Sequence, residues 1–179
     1  MNHKRASHKQ KSPAPTQQAI ADLLVQIASH SGVERKRARE RLVALGRPAV
    51  APLIEALADD RNVVRWEAAK AFTELHDPRA APALVRGLED SDGDVRWLAA
   101  EALVGLGRAG LKPLLEALMQ HADSADLRDG AHHVLHSLRH GELADLAEPV
   151  LKSLEGLEPE LAAPFSAEAA LQSLTRRHR

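Results

Sequence analysis

The stretch VRWEAAKAF at residues 64–72 is nearly repeated by VRWLAAEAL at residues 95–103. Both copies begin with Val-Arg-Trp, and both then carry a pair of alanines and end on a large apolar residue. A self-similar segment at a spacing of about 31 residues indicates a repeat architecture, in which each unit stacks on its neighbours.

Two more segments follow the same pattern, ERKRARERLVALG at residues 34–46 and LRDGAHHVLHSLR at residues 127–139. Small or apolar residues recur at positions i, i+4, i+8 and i+11, which is the spacing of one stripe along a helix. The predicted stripes are Val64, Ala68, Phe72 and Leu75 in the second copy, Val95, Ala99, Leu103 and Leu106 in the third, and Leu127, Ala131, Leu135 and Leu138 in the fourth.

Each of these helices is followed by a turn and a second short apolar segment, at residues 51–59, 82–90, 112–120 and 148–156. Glycines at positions 46, 107 and 141 stand where a first helix should end, and prolines at 48 and 78 where the next can begin. Asp92 and Ser124 precede predicted helices and can cap their free backbone N–H groups. The repeating unit is therefore a helix–turn–helix pair.

These units predict an all-α fold, a right-handed α-solenoid (α/α superhelix) of about four to five helical hairpins, because stacked pairs bury the apolar faces that one pair cannot. The predicted domain covers residues 17–177 and follows a basic, disordered tail at residues 1–16. Its parts are a leading helix at 17–30, repeats at about 33–59, 62–90, 93–121 and 125–156, and a terminal helix at about 165–177.

The pattern D-x-x-V-R-W-x-A-A-x-A-L, followed by a turn and P-L-I-x-A-L, resembles the HEAT repeat of the short phycobilisome-lyase type over about residues 33–155. The first copy departs from it at Glu34 and Lys36, and the fourth places Asp129 where the tryptophan stands. The resemblance implies a concave face lined by the first helix of each pair. Carried over by position, this face would bind a protein through Lys36, Arg37, Glu40, Trp66, Glu67, Lys70, Trp97, Leu98, Glu101, Asp129 and His133.

Arginine and tryptophan occupy equivalent places in the two central copies. Arg65 and Arg96 lie near several aspartates of the inter-repeat turns, and we favour a ladder of Arg–Asp contacts over a site for an anionic ligand. Trp66 and Trp97 follow directly and lie off the buried stripe. They are either exposed anchors for a partner or aromatic edges of the core, and both interpretations stay open.

The segment HHVLHSLRH gathers His132, His136 and His140 at i,i+4 spacing, which suits one divalent metal with Glu142 as a conceivable third ligand. We favour a cluster of surface imidazoles and predict no metal. Iron-dependent deoxyhypusine hydroxylases are also built from HEAT-like repeats, but their His-Glu ligand dipeptides do not occur in this sequence.

Composition limits the remaining classes of function. The absence of cysteine excludes disulfides, thiol nucleophiles and zinc fingers and suits a cytoplasmic protein, and no apolar run approaches the length of a membrane span. We find no nucleophile–base pair and no phosphate-binding loop. We therefore expect a non-catalytic scaffold that binds a protein partner, has no cofactor and is a monomer or weak oligomer.

Two alternative functions are considered. The first is a bilin lyase-type subunit that handles a chromophore, and the second is association with nucleic acid through the tail and the basic run at residues 35–41.

Overall fold

The computed structural model describes residues 17–176, and this part of the chain is built from helices joined by short turns. The tail predicted at residues 1–16 and the end of the predicted terminal helix at residue 177 lie outside it. The helices are α1 (Gln17–Gln26), α2 (Gly32–Leu45), α3 (Arg47–Ala56), α4 (Asn62–Leu75), a 3₁₀ turn η1 (Pro78–Ala80), α5 (Ala81–Gly87), α6 (Gly93–Leu106), α7 (Arg108–His121), α8 (Ala125–Leu138), α9 (Ala144–Leu154) and α10 (Pro159–Arg176).

Two parallel rows of helices form the body of the molecule. The even-numbered row consists of α2, α4, α6 and α8, each packed on the next, and the odd-numbered row consists of α1, α3, η1 with α5, and α7. Contacts also join each odd-numbered helix to the even-numbered helix that follows it. The predicted fold class, an all-helical solenoid, is confirmed.

The core is the stripe that the repeats predict. Val64, Ala68 and Phe72 are almost fully buried in α4, and the residues at the same register of α6 and α8 are buried with them. The last stripe position of each helix, such as Leu75, is only partly buried. Because alanine fills many of the inner positions, neighbouring helices approach closely: a Cβ built on Gly87 would lie 3.0 Å from the Cβ of Ala99.

The turns follow the predicted chemistry. Gly46 and Gly107 each end one helix and start the next with positive φ angles of 66° and 52°, a conformation that favours glycine. Asp92 accepts hydrogen bonds from the first free N–H groups of α6, and Ser124 does so for α8. These caps fix where α6 and α8 begin.

Helix α10 closes the far end of the stack. It packs extensively on both α7 and α9, and α9 packs on α8, so that α7, α8, α9 and α10 form a ring of four helices. Arg108 Nη2, at the start of α7, donates to the carbonyl oxygen of Leu174, near the end of α10, at 2.9 Å. These two helices therefore run antiparallel, and α10 takes the place beside α7 that a further odd-numbered helix would occupy.

Candidate functional site

Arginine stands at one register of all four helices of the even-numbered row. The Nη1 atom of each donates to a backbone carbonyl six residues earlier in the chain, which ties the start of the helix to the preceding turn. The pairs are Arg35 to Ser29 at 2.9 Å, Arg65 to Asp59 at 2.8 Å, Arg96 to Asp90 at 2.7 Å and Arg128 to Ala122 at 2.6 Å. The sequence identified only the central two as a pair; Arg35 and Arg128 could have been found from the same register.

In the two central arginines, the remaining guanidinium atoms reach a carboxylate at or just before the start of the next helix of the even-numbered row. Arg65 Nε and Nη2 donate to the two carboxylate oxygens of Asp90 at 2.6 and 2.9 Å, and this carboxylate raises the pKa of Arg65. Arg96 Nε lies 3.5 Å from Asp126 Oδ1. The predicted Arg–Asp ladder is therefore confirmed, and the donors of Arg65 are engaged within the protein.

A buried charge cluster replaces this arrangement between α2 and α4. The carboxylate of Glu67, which is 3% exposed, accepts hydrogen bonds from both Arg35 and Arg39. The guanidinium carbon of Arg39 also lies 5.7 Å from the ring centroid of Trp66, and Arg39 Nε is buried without a hydrogen-bond partner among residues 17–176. The indole face is therefore the environment that stabilises this side of the guanidinium.

Two residues that the register placed on the exposed face lie inside the protein. Glu67 belongs to the buried cluster just described, and Leu98 is 2% exposed in the core. Their burial removes both from the accessible surface. The other nine predicted positions keep some exposure and follow the even-numbered row: Lys36, Arg37, Glu40, Trp97 and Asp129 are exposed, and Trp66, Lys70, Glu101 and His133 are half-buried.

The two tryptophans differ although they share a register. Trp66 packs against the core and lies beneath Arg39, whereas Trp97 is 53% exposed. The difference follows from the preceding helix, because the position that holds Arg39 in α2 holds the small Ala69 in α4. Of the two interpretations of these tryptophans, the core edge therefore describes Trp66 and the exposed aromatic surface describes Trp97.

A groove of about 200 Å³ runs between α6 and α8 beside Trp97. Its lining consists of Leu88, Arg96, Trp97, Ala100, Asp126, Asp129, Gly130 and His133. Gly130 permits this shape, because a Cβ at that position would lie 2.8 Å from a methyl group of Leu88. Register alone did not identify Leu88 or Gly130 as part of the site. Leu88 follows the second helix of its pair, and Gly130 stands at the register of the buried Leu98.

Carboxylates dominate the charge around the groove. Asp126 is engaged by Arg96, and Glu101 Oε1 lies 2.7 Å from His133 Nε2. Asp129 has no hydrogen bond or ion pair to any residue within the described range. One exposed indole and one unpaired carboxylate thus lie on the same groove.

Residues 50–136 match the family of HEAT repeats. This HEAT-repeat segment runs from α3 to α8 and contains both tryptophans and the groove. No curated protein matches the chain. The match is to HEAT repeats in general, so the resemblance to the phycobilisome-lyase type stays a prediction.

The histidines of α8 and of the turn after it form separate pairs. His132 Nε2 lies 3.1 Å from Glu155 Oε1 and its ring stacks on His136 at 5.9 Å, whereas Nε2 of His140 accepts from Arg139 Nε at 2.9 Å. Within residues 17–176 no three His, Asp or Glu side chains are placed to hold a metal ion. The i,i+4 spacing therefore brings imidazoles together without a complete ligand set.

The basic run at residues 35–41 is largely paired with carboxylates within the helical stack. Arg35 and Arg39 bond to Glu67, and Lys36 Nζ lies 3.7 Å from Glu40 Oε1. Their charges thus have carboxylate partners of the same chain. In the part of the chain that the structure describes, no helix is both long and apolar enough to cross a bilayer.

Proposed function

We propose that this chain is a non-catalytic HEAT-repeat scaffold that binds a protein partner through the exposed face of the even-numbered row, which we infer to be the concave face of the solenoid. The observation that carries the proposal is the 53% exposure of Trp97 in the middle of that row. An indole in water at the centre of a surface offers a large apolar area at low entropic cost and is typical of binding hot spots.

The rest of the face suits a protein surface. Charges of both signs lie along the row. Lys36 and Lys70 are on the two helices before α6, Glu101 is on α6 itself, and Asp129 is on α8. An apolar anchor within a polar rim is the usual organisation of such an interface. The proposal places the chain in the cytoplasm, as a monomer or weak oligomer.

Capture on the immobilised chain, from an extract of the cell that encodes it, tests the proposal when it is followed by purification of each captured protein. A true partner should bind the wild-type chain and lose at least about tenfold in affinity for Trp97→Ala, as expected of a hot spot. The matched control is Met119→Ala, which truncates a side chain that is 37% exposed in the odd-numbered row.

Circular dichroism and an unfolding midpoint close to wild type would show that both variants fold. If every purified candidate bound Trp97→Ala and Met119→Ala equally well, the even-numbered face would not be the binding surface.

A further inference from the structure

The groove between α6 and α8 carries chemistry that suits one class of guest. We propose that it is a socket for a basic side chain of the partner, arginine above all, with the cation over the Trp97 indole and against the Asp129 carboxylate. This inference rests on the proposed function, because it names the chemistry that the same face recognises.

The first argument is that the protein already contains such an arrangement at the equivalent tryptophan. Arg39 lies over the Trp66 ring with its centre 5.7 Å from the ring centroid, and its Nη1 bonds to the Glu67 carboxylate. An indole at this register therefore accepts a guanidinium on its face when a carboxylate is beside it. A cation in this position gains from the negative face of the ring as well as from the ion pair.

The second argument is that the next repeat lacks the internal cation. At the registers of Arg39 and Glu67, the following helices carry Ala69 and Leu98. Trp97 consequently has no guanidinium from residues 17–176 over its ring, and half of its surface remains in contact with water. The face of the Trp97 ring is thus open, whereas Arg39 covers the equivalent face of Trp66 one repeat earlier.

The third argument is the charge of the groove. Arg96, the arginine in its lining, is held by the carbonyl oxygen of Asp90 and by Asp126, and His133 faces Glu101. Asp129 is left without a partner within residues 17–176. A guest cation would form an ion pair with Asp129, whereas an anionic guest would be repelled by the three carboxylates near the indole.

The test uses the full-length chain and two peptides, acetyl-Gly-Arg-Arg-Gly-amide and the same peptide with citrulline in place of both arginines. Citrulline keeps the size and planarity of the side chain and removes its charge. The readout is the indole N–H signal in a two-dimensional ¹H–¹⁵N spectrum, where the sequence contributes only Trp66 and Trp97. The variant Trp97→Phe assigns the two signals.

We expect the arginine peptide, at millimolar concentrations and low salt, to shift the Trp97 signal saturably and to leave Trp66 nearly unchanged. The citrulline peptide should produce little shift, and added salt should weaken binding of the arginine peptide. Asp129→Asn should weaken it at least about threefold, the loss of one exposed charge pair. Asp123→Asn, which removes an exposed carboxylate in the turn before α8, is the matched control and should bind as wild type.

Equal shifts with the two peptides would mean that the groove takes apolar or planar groups without regard to charge. That result overturns the socket and leaves the proposed scaffold function intact. A Trp97 signal that neither peptide moves would also overturn the socket, and the capture experiment would then decide separately whether the face binds protein.

Discussion

Arg65 and Asp90 form a two-pronged ion pair that ties α4 to the turn before α6. Nε and Nη2 of the arginine meet the two carboxylate oxygens at 2.6 and 2.9 Å, and the side chains are 13% and 8% exposed. Asp90 Oδ1 also accepts from the backbone N–H of Asp92, at 2.8 Å. One residue pair thus couples α4 to the turn before α6, including the residue that caps α6.

Removing the arginine should be costly, because Asp90 would keep its charge without its main partner. We expect Arg65→Ala to lower the free energy of unfolding by about 3 kcal/mol or more, and Arg65→Lys to lower it by less, since lysine keeps the charge and loses the paired geometry. Urea denaturation measures both. The control is Arg61→Ala, whose pair with Asp59 is exposed to solvent and should contribute much less to stability than the pair of Arg65 with Asp90. Equal midpoints for Arg61→Ala and Arg65→Ala would show that the ladder does not couple the repeats.

The close packing of α5 on α6 leads to a second prediction. Ala99 is fully buried, and it faces Gly87 of the neighbouring helix. Ala99→Asp should destabilise the chain by about 3 kcal/mol or more, because the carboxylate would have neither space nor a partner. Ala51→Asp makes the same exchange at an exposed position of α3 and should cost less than about 1 kcal/mol. Thermal unfolding of Ala99→Asp at the wild-type midpoint would mean that the assigned stripe is wrong.

Close approach of α7 to α6 gives a third prediction. A Cβ on Gly110 would lie 2.8 Å from the backbone oxygen of Leu103 and 3.3 Å from one of its methyl groups. Gly110→Ala should therefore cost about 1–3 kcal/mol, since the backbone must shift to admit one methyl group. Gly141→Ala, where nothing lies within 4 Å of the added atom, should be near neutral. Chemical denaturation of the two variants side by side distinguishes them, and matching curves would contradict this packing.

Acid should weaken the turn before α4. A side-chain hydrogen bond from Arg61 lowers the pKa of Asp59 from 3.8 to about 2, and the pKa of Asp92 is lowered by its hydrogen bond from Asn62. Because the folded pKa lies below the unfolded value, this stabilisation is complete above about pH 4 and is lost as the pH falls towards 2. In urea titrations between pH 6 and 2, Asp59→Asn should be less stable than wild type near neutrality and approach it in acid. A difference that stays constant over this range would refute the assignment.

Much of the fold could be predicted from the sequence, because the same buried positions recur in each copy of the repeated unit. Val64, Val95 and Leu127 share one register, and all three are buried. The caps at Asp92 and Ser124 were equally visible, since capping depends on one side chain and its nearest neighbours along the chain.

The candidate site was harder to predict, because it depends on how successive copies differ. Register placed Glu67 and Leu98 on an exposed face, but Arg35 and Arg39 cover the first, and the second packs into the core. Whether an indole is covered depends on one residue of the preceding helix, arginine before Trp66 and alanine before Trp97. A repeat pattern averaged over all copies does not show this difference between the two tryptophans.

The sequence contains a signal for the placement of α10. Pro164 is the sixth residue of α10, as Pro52 is of α3, Pro113 of α7 and Pro149 of α9. Helix α10 thus carries the proline of the second helix of a pair. This likeness agrees with its position beside α7 in the odd-numbered row.

The four-helix ring has a consequence for anyone who wishes to lengthen this protein. Helix α10 lies against α7 and is held there through Arg108 and Leu174. A copy of the helical pair appended after α9 could therefore not pack on α7, because α10 already occupies that surface. Duplication of an internal unit, such as the segment from η1 to α6, would instead meet complementary surfaces on both sides. We therefore expect longer arrays to be obtained by inserting units in the middle, with α10 kept as the helix that covers the end of the stack.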